Sequence, residues 1–137
     1  MGEVRTKVKL TNAVDFGLNK RGLLSENEIR SVIFTAVVDT GAVRSVIPKD
    51  VLEKLGIDIL RESTAEYANG SKEIVGLSEA IIFEIDDRIT IEEALVLGKE
   101  VLIGQTALEK LDLYIDCHGS KLIPNPEHPD YPITRVY

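Results

Sequence analysis

Hydrophobic and polar residues alternate at the start of the chain: Val4, Thr6, Val8 and Leu10 share one side, while Arg5, Lys7 and Lys9 share the other. A period of two predicts a strand with one buried face. The extended pattern continues through Asn12 to Phe16, and Gly17 to Gly22 (GLNKRG) supplies turn chemistry. A second strand, rich in β-branched residues, is predicted from about Glu28 to Val38. Pro48 to Leu55 (PKDVLEKL) changes period. A proline opens it, Val51, Leu52 and Leu55 recur at helical spacing, and Gly56 ends it, so a short helix is predicted. With Gln105 to Leu111 it should be the longest helix of the chain.

From Ile57 to Leu97 the pattern is strand and turn. Asn69-Gly70 is a strong hairpin signal, and a second turn is predicted around Asp86-Asp87-Arg88. The run EVLIG (Glu100 to Gly104) then leads into QTALEKL, and LDLYID, a turn at His118-Gly119 and KLIPNP read as a last hairpin. Residues 1–126 are expected to form one domain, and 127–137 a proline-rich tail, extended on the surface or loose. An internal echo is also visible. AVVDTGAVRSVIPKDVLEKL and EVLIGQTALEKL each place an apolar strand and a glycine ahead of a short helix. Two related halves of a small β domain would read this way.

Composition narrows the function. At 137 residues the chain has room for one domain, and 44% hydrophobic with 28% charged residues is the make-up of a compact globular fold. The net charge of −7 repels phosphate backbones, and with no Trp and 5% aromatic residues there is little to stack on bases, so no nucleic-acid partner is expected. No apolar run is long enough for a membrane helix, and Met1 to Leu10 is charged and alternating, unlike a signal peptide. A cytoplasmic protein with no membrane partner is the expectation. Cys117 is the only cysteine, and no Cys/His spacing suits a metal, so neither a disulfide nor a metal or other cofactor is expected.

The chemistry centres on Asp39-Thr40-Gly41, directly after the second predicted strand. Asp-Thr-Gly alone is a weak motif, and its setting supplies the weight. A hydrophobic strand, Asp-Thr-Gly-Ala42, a hydroxyl at Ser45 and then Val46-Ile47-Pro48 resembles the active-site loop of the retroviral-like, or retropepsin-type, aspartic proteases. Two further segments fall in that family's order. YANGS (Tyr67, Ala68, Asn69, Gly70, Ser71) is similar to a flap tip, and VLIGQTALE (Val101 to Glu109) to the apolar-apolar-glycine segment and its helix. LDLYIDCHGSKLIPNP resembles the last hairpin of bacterial, single-lobe members.

The resemblance implies a mainly β fold, a closed barrel with a flap hairpin and one or two short helices, assembled as a two-fold homodimer. It implies an aspartic endopeptidase with Asp39 as the catalytic carboxylate, and Thr40, Gly41, Ala42 and Ser45 bracing the loop. The flap, Tyr67 to Ser71, would cover a peptide or protein substrate. Apolar subsites would be expected from Ala42, Val46, Ile74, Val101, Leu102 and Ile103. Peptide hydrolysis by this route needs two carboxylates, and the chain has one such loop, so the second must be Asp39 of another copy.

Some positions depart from the family pattern. Retroviral enzymes carry acidic residues just after Asp-Thr-Gly-Ala and an arginine after the later glycine, where this chain has Val43, Arg44 and Gln105. A rival reading is therefore a catalytically inactive peptide-binding or dimerisation module of the same fold. A phosphate-binding Asp-Thr-Gly loop fails on context, for want of a G-x-x-x-x-G-K-[ST] motif and of alternating βα units. Asp86-Asp87 reads as a polar turn, His118 beside Cys117 as turn residues, and His128 as a solvated residue of the tail.

Overall fold

The computed structural model describes residues 3–136. Strand β1 (Arg5–Asn12) buries Val8 and Leu10 completely and leaves Arg5, Lys7 and Lys9 exposed, as the alternation requires. Helix α1 (Ala13–Lys20) follows without a break. A 3-10 turn (Glu26–Glu28) leads into β2 (Ser31–Val38), which pairs antiparallel with β1. Next come β3 (Val46–Ile47), α2 (Lys49–Lys54), β4 (Ile59–Glu66), β5 (Lys72–Ser78), β6 (Ile81–Ile85), β7 (Arg88–Glu92), β8 (Leu95–Val96) and β9 (Leu102–Ile103). Helix α3 (Gln105–Leu111) and a separate hairpin, β10 (Leu113–Asp116) with β11 (Lys121–Pro124), complete the elements.

Nine strands form one sheet in the order β4-β5-β8-β3-β9-β2-β1-β6-β7. The sheet curls round a core in which Leu10, Ile47, Leu55, Phe83, Ile103 and Leu111 are fully buried. Its hydrogen-bonded order ends at β4 and β7, so among the described residues the curl is not closed by a ladder. The internal echo has a structural counterpart. β2 and β9, the strands that precede the two glycine segments, lie side by side in parallel, Val37 opposite Leu102 and Val38 opposite Ile103.

Residues Ala13 to Lys20 correct the sequence reading. The extended stretch to Phe16 and the turn from Gly17 are in fact the eight-residue α1, the longest helix among the described residues. Local chemistry decides it: the Asn12 side-chain oxygen accepts from Asp15 N at 3.0 Å, an N-cap, while its amide donates to Leu55 O at 2.9 Å. The buried Asp15 carboxylate in turn accepts from Arg30 Nε, Nη2 and backbone N, each at 2.9 Å, which clamps α1 to the entry of β2. Those bonds from Arg30 hold the Asp15 carboxyl below its ordinary range.

The tail also differs from the expectation for His128. Asp112 sits at the C-terminus of α3 in a left-handed conformation (φ 57°) and is 8% exposed. Its carboxylate accepts from Asn125 Nδ2 at 2.9 Å, Ile133 N at 3.1 Å and His128 Nδ1 at 2.6 Å. His128 is thus packed against a carboxylate rather than solvated. Buried Arg88 completes the anchor, donating to the carbonyls of Leu111 (3.1 Å), Asp112 (2.8 Å) and His128 (2.6 Å), which satisfies the end of α3 and ties the tail to it.

The amide of Asn125 above all, with Ile133 N and His128, holds the Asp112 carboxyl below the usual carboxylate range against the opposing effect of burial. A depressed folded pKa contributes stability that is complete above the unfolded value and is lost as pH falls through the folded one. Tm is therefore expected to drop as pH is lowered below about 4, near the ordinary carboxylate value. Asp112→Asn should cost about 2 kcal/mol at neutral pH, because charge-assisted bonds are lost. Its acid-induced fall in Tm should be shallower than the wild type's in thermal melts across that range, and a parallel fall would assign the acid sensitivity elsewhere.

Candidate active site

Asp39 is the first residue after β2, whose buried Ala36 and Val38 fix where it starts. Its N–H donates to Ile103 O at 2.9 Å, its Oδ1 accepts from Gly41 N at 2.9 Å, and its carbonyl accepts from Ala42 N at 3.2 Å. The carboxylate is half-buried and held by its own loop. A side chain at Gly41 would stand 3.2 Å from Asp39 Oδ1, and glycine leaves that oxygen its space.

The loop is fastened to the segment that opens α3. Gln105 N and Thr106 N, first-turn donors with no partner inside the helix, donate to Ala42 O at 2.8 Å and Val43 O at 3.1 Å. Fully buried Ser45 accepts Gly104 N on Oγ at 3.0 Å. At Gly104 the two segments nearly touch: an added Cβ would meet the carbonyl carbon of Arg44 at 2.5 Å, its oxygen at 2.6 Å and Ser45 N at 2.9 Å. These bonds join the Asp-Thr-Gly loop and the later glycine segment, far apart in sequence, into one rigid base.

β4 and β5 form a hairpin over this base. Its tip is closed by Tyr67 N donating to Ser71 O and Gly70 N to Tyr67 O, both at 2.9 Å, with Gly70 at φ 87°. The loop is therefore longer than the two-residue turn that Asn69-Gly70 suggests, and Asn69 Oδ1 accepts from Ser71 N to stiffen it. The Tyr67 hydroxyl donates to the Glu73 carboxylate across the hairpin.

Between hairpin and base lies a groove of about 620 Å³. Asp39, Gly41, Ala42 and Val46 line it from the base, Leu102 from the wall, and Tyr67 and Ala68 from the hairpin tip. These sequence-derived candidates come together. Others do not. Val101 and Ile103 are buried in the core at 3% and 0% exposure, because in an extended segment only the middle residue, Leu102, faces the groove. Ile74 faces solvent at 67% exposure, and Asn69, Gly70 and Ser71 lie away from the groove. Ser45 is a structural hydroxyl. Thr40 turns instead to a second depression of about 370 Å³, shared with Gln105, Leu108 and Leu113.

Sequence reasoning missed Leu95 and Leu97, which also line the groove. Their spacing of two in ALVLG was the available signal, since it places both on one face of a strand.

Residues 26–110, well over half of the chain, match the family described as gag-polyprotein putative aspartyl protease. The chain belongs to that family. The matched span of this aspartyl protease family member holds the Asp39 loop, the flap hairpin and the Gly104 segment, while β10, β11 and the tail lie beyond it. Among solved structures, EIAV protease complexed with the inhibitor HBY-793 is similar, with a TM-score of 0.54 at 16% identity, over 80% of this chain and 88% of that one. The likeness shows the fold, mainly β and retropepsin-like. No curated protein matches the sequence.

Proposed function

We propose that this aspartyl protease family member is an endopeptidase in which a homodimer hydrolyses peptide bonds through a water held between two Asp39 carboxylates, one from each subunit. The observation that carries the reading is the placement of Asp39, rigidly fixed on the floor of a groove of peptide-binding size beneath a hairpin flap. Glu66, on the flap, is the only other acid among the described residues that line the groove, and it is exposed. A mechanism that needs two adjacent carboxylates is therefore completed by a second copy.

In that arrangement one Asp39 is ionised and takes a proton from the water as it attacks the carbonyl carbon. The other, protonated, donates to the carbonyl oxygen; the first then gives the water's proton to the nitrogen as the C–N bond breaks, and the second recovers its own from the diol hydroxyl as the carbonyl re-forms. Two like charges side by side are costly, so the working state of the coupled pair holds one shared proton, the arrangement for which aspartic proteases are the standard example. The flap excludes water from the reacting bond, and the backbone of an extended peptide can pair with strand edges at the groove.

Cleavage of an unstructured peptide pool between about pH 3.5 and 7 tests the reading, because the coupled pair predicts a bell-shaped profile strongest below neutrality. Pepstatin should inhibit, and serine- and cysteine-directed reagents should not. A folded protein that cleaves nothing across this range would be a binding module of the same fold.

A further inference from the structure

Besides Asp39 on the floor and Glu66 on the flap, Arg44 is the only charged residue among the described residues that line the groove. The surrounding wall is apolar, with Ala42, Val46, Leu95, Leu97 and Leu102. The guanidinium is weakly engaged. Nη1 stands 3.5 Å from Glu93 Oε1, with the two side chains 44% and 46% exposed, so the contact is a solvent-screened ion pair, and at that length a poor hydrogen bond. The planar fork keeps donors free for a bidentate carboxylate.

The backbone beneath this side chain is among the most tightly placed in the site. Its carbonyl packs against Gly104, and the next residue is the fully buried Ser45 bonded to Gly104 N. The cation is thus mounted on a rigid base, at the edge of a groove that loses water when a peptide fills it, the setting in which a charged bond gains strength. The chain as a whole, at net −7, disfavours acidic peptides. A local preference for acid would therefore run against the overall field and be distinguishable from it.

We propose that Arg44 is a specificity-determining residue that selects peptides carrying Asp or Glu at a defined distance from the scissile bond. The inference rests on the groove's binding peptides, as the proposed function requires. In a two-fold dimer the second Arg44 stands at the opposite end of the shared groove, so the acidic preference appears at positions related by symmetry on both sides of the cleaved bond.

The test uses a peptide library with Glu, Gln or Lys at each position around a fixed centre, cleaved by wild type, Arg44→Gln and Arg44→Glu, with products read by mass spectrometry. The same sequences with a reduced, uncleavable central bond are measured by calorimetry. Wild type is expected to favour Glu over Gln by about tenfold at one symmetric pair of positions, as a charge-assisted contact implies. Arg44→Gln should lose that preference and Arg44→Glu should shift it to Lys. Equal use of Glu and Gln by wild type, or a Glu preference that survives in Arg44→Gln, overturns the role of Arg44 while cleavage itself upholds the protease. Glu-selective binding without cleavage upholds Arg44 and overturns the endopeptidase. Neither binding nor cleavage overturns both.

Discussion

Asp39→Asn is expected to lower kcat/KM by at least about a thousandfold, the upper part of the range for losing a general acid–base pair. In the proposed dimer the substitution removes the ionisable group from both subunits, and an amide can neither take the proton from water nor return one to the carbonyl oxygen. It changes little else. The Asn side-chain oxygen can still accept from Gly41 N, and Ile103 O still receives the backbone N–H, so the loop keeps its bonds. The thermal melt should stay within a few degrees of wild type, corresponding to roughly 1 kcal/mol. Steady-state kinetics alongside the melt separate the outcomes: residual activity of a tenth or more would remove Asp39 from the chemistry.

Gly104→Ala should be among the most damaging single-methyl changes in the molecule. The added carbon would overlap the carbonyl of Arg44 and the amide of Ser45, both backbone, and neither can rotate away as a side chain would. Either the base separates, losing the bonds from Gly104 N to Ser45 Oγ and from Gln105 N to Ala42 O, or the overlap is borne as strain. A loss of about 3 kcal/mol is expected, at the upper end for overpacking, and activity should fall further than stability because Asp39 rides on the same base. Gly98→Ala is the control. Gly98 has a positive φ of 74° but open space around it, so its cost is confined to backbone strain of about 1 kcal/mol. Denaturant unfolding of the two variants should rank them in that order, and equal destabilisation would mean that contact with Arg44 is not what fixes the site.

Much of this architecture is legible in the sequence because periodicity and turn chemistry act locally. The alternation in β1, the paired Asp86-Asp87 that form the left-handed turn between β6 and β7, and the repeated strand-glycine-helix pattern all appear where the residues place them. What could not be read depends on distant partners. Asn12 is the last residue of β1, and only its side chain, capping Asp15 N and bonding Leu55 O, turns the chain into α1, while Asp15 needs Arg30 to hold it. Asp112 resembles any polar residue after a helix, yet it gathers Asn125, His128 and Ile133 from the tail. Within the site, motif similarity named segments that the fold brings to one groove, but it did not separate the faces of each strand. Val101 and Ile103 belong to the core, and the groove takes Leu102 between them.

The proposal that one chain supplies half of a catalytic pair is tested most directly by mixing subunits. Wild type is combined with a ninefold excess of Asp39→Asn protein, allowed to exchange, and assayed on a cleaved peptide against wild type alone at the same wild-type concentration. If the site is shared between two copies that assort freely, activity should fall to about a tenth, because most wild-type subunits then face an inactive partner. Activity that stays unchanged in the mixture, with exchange verified, would show that each chain works without the Asp39 of another and would contradict the shared site.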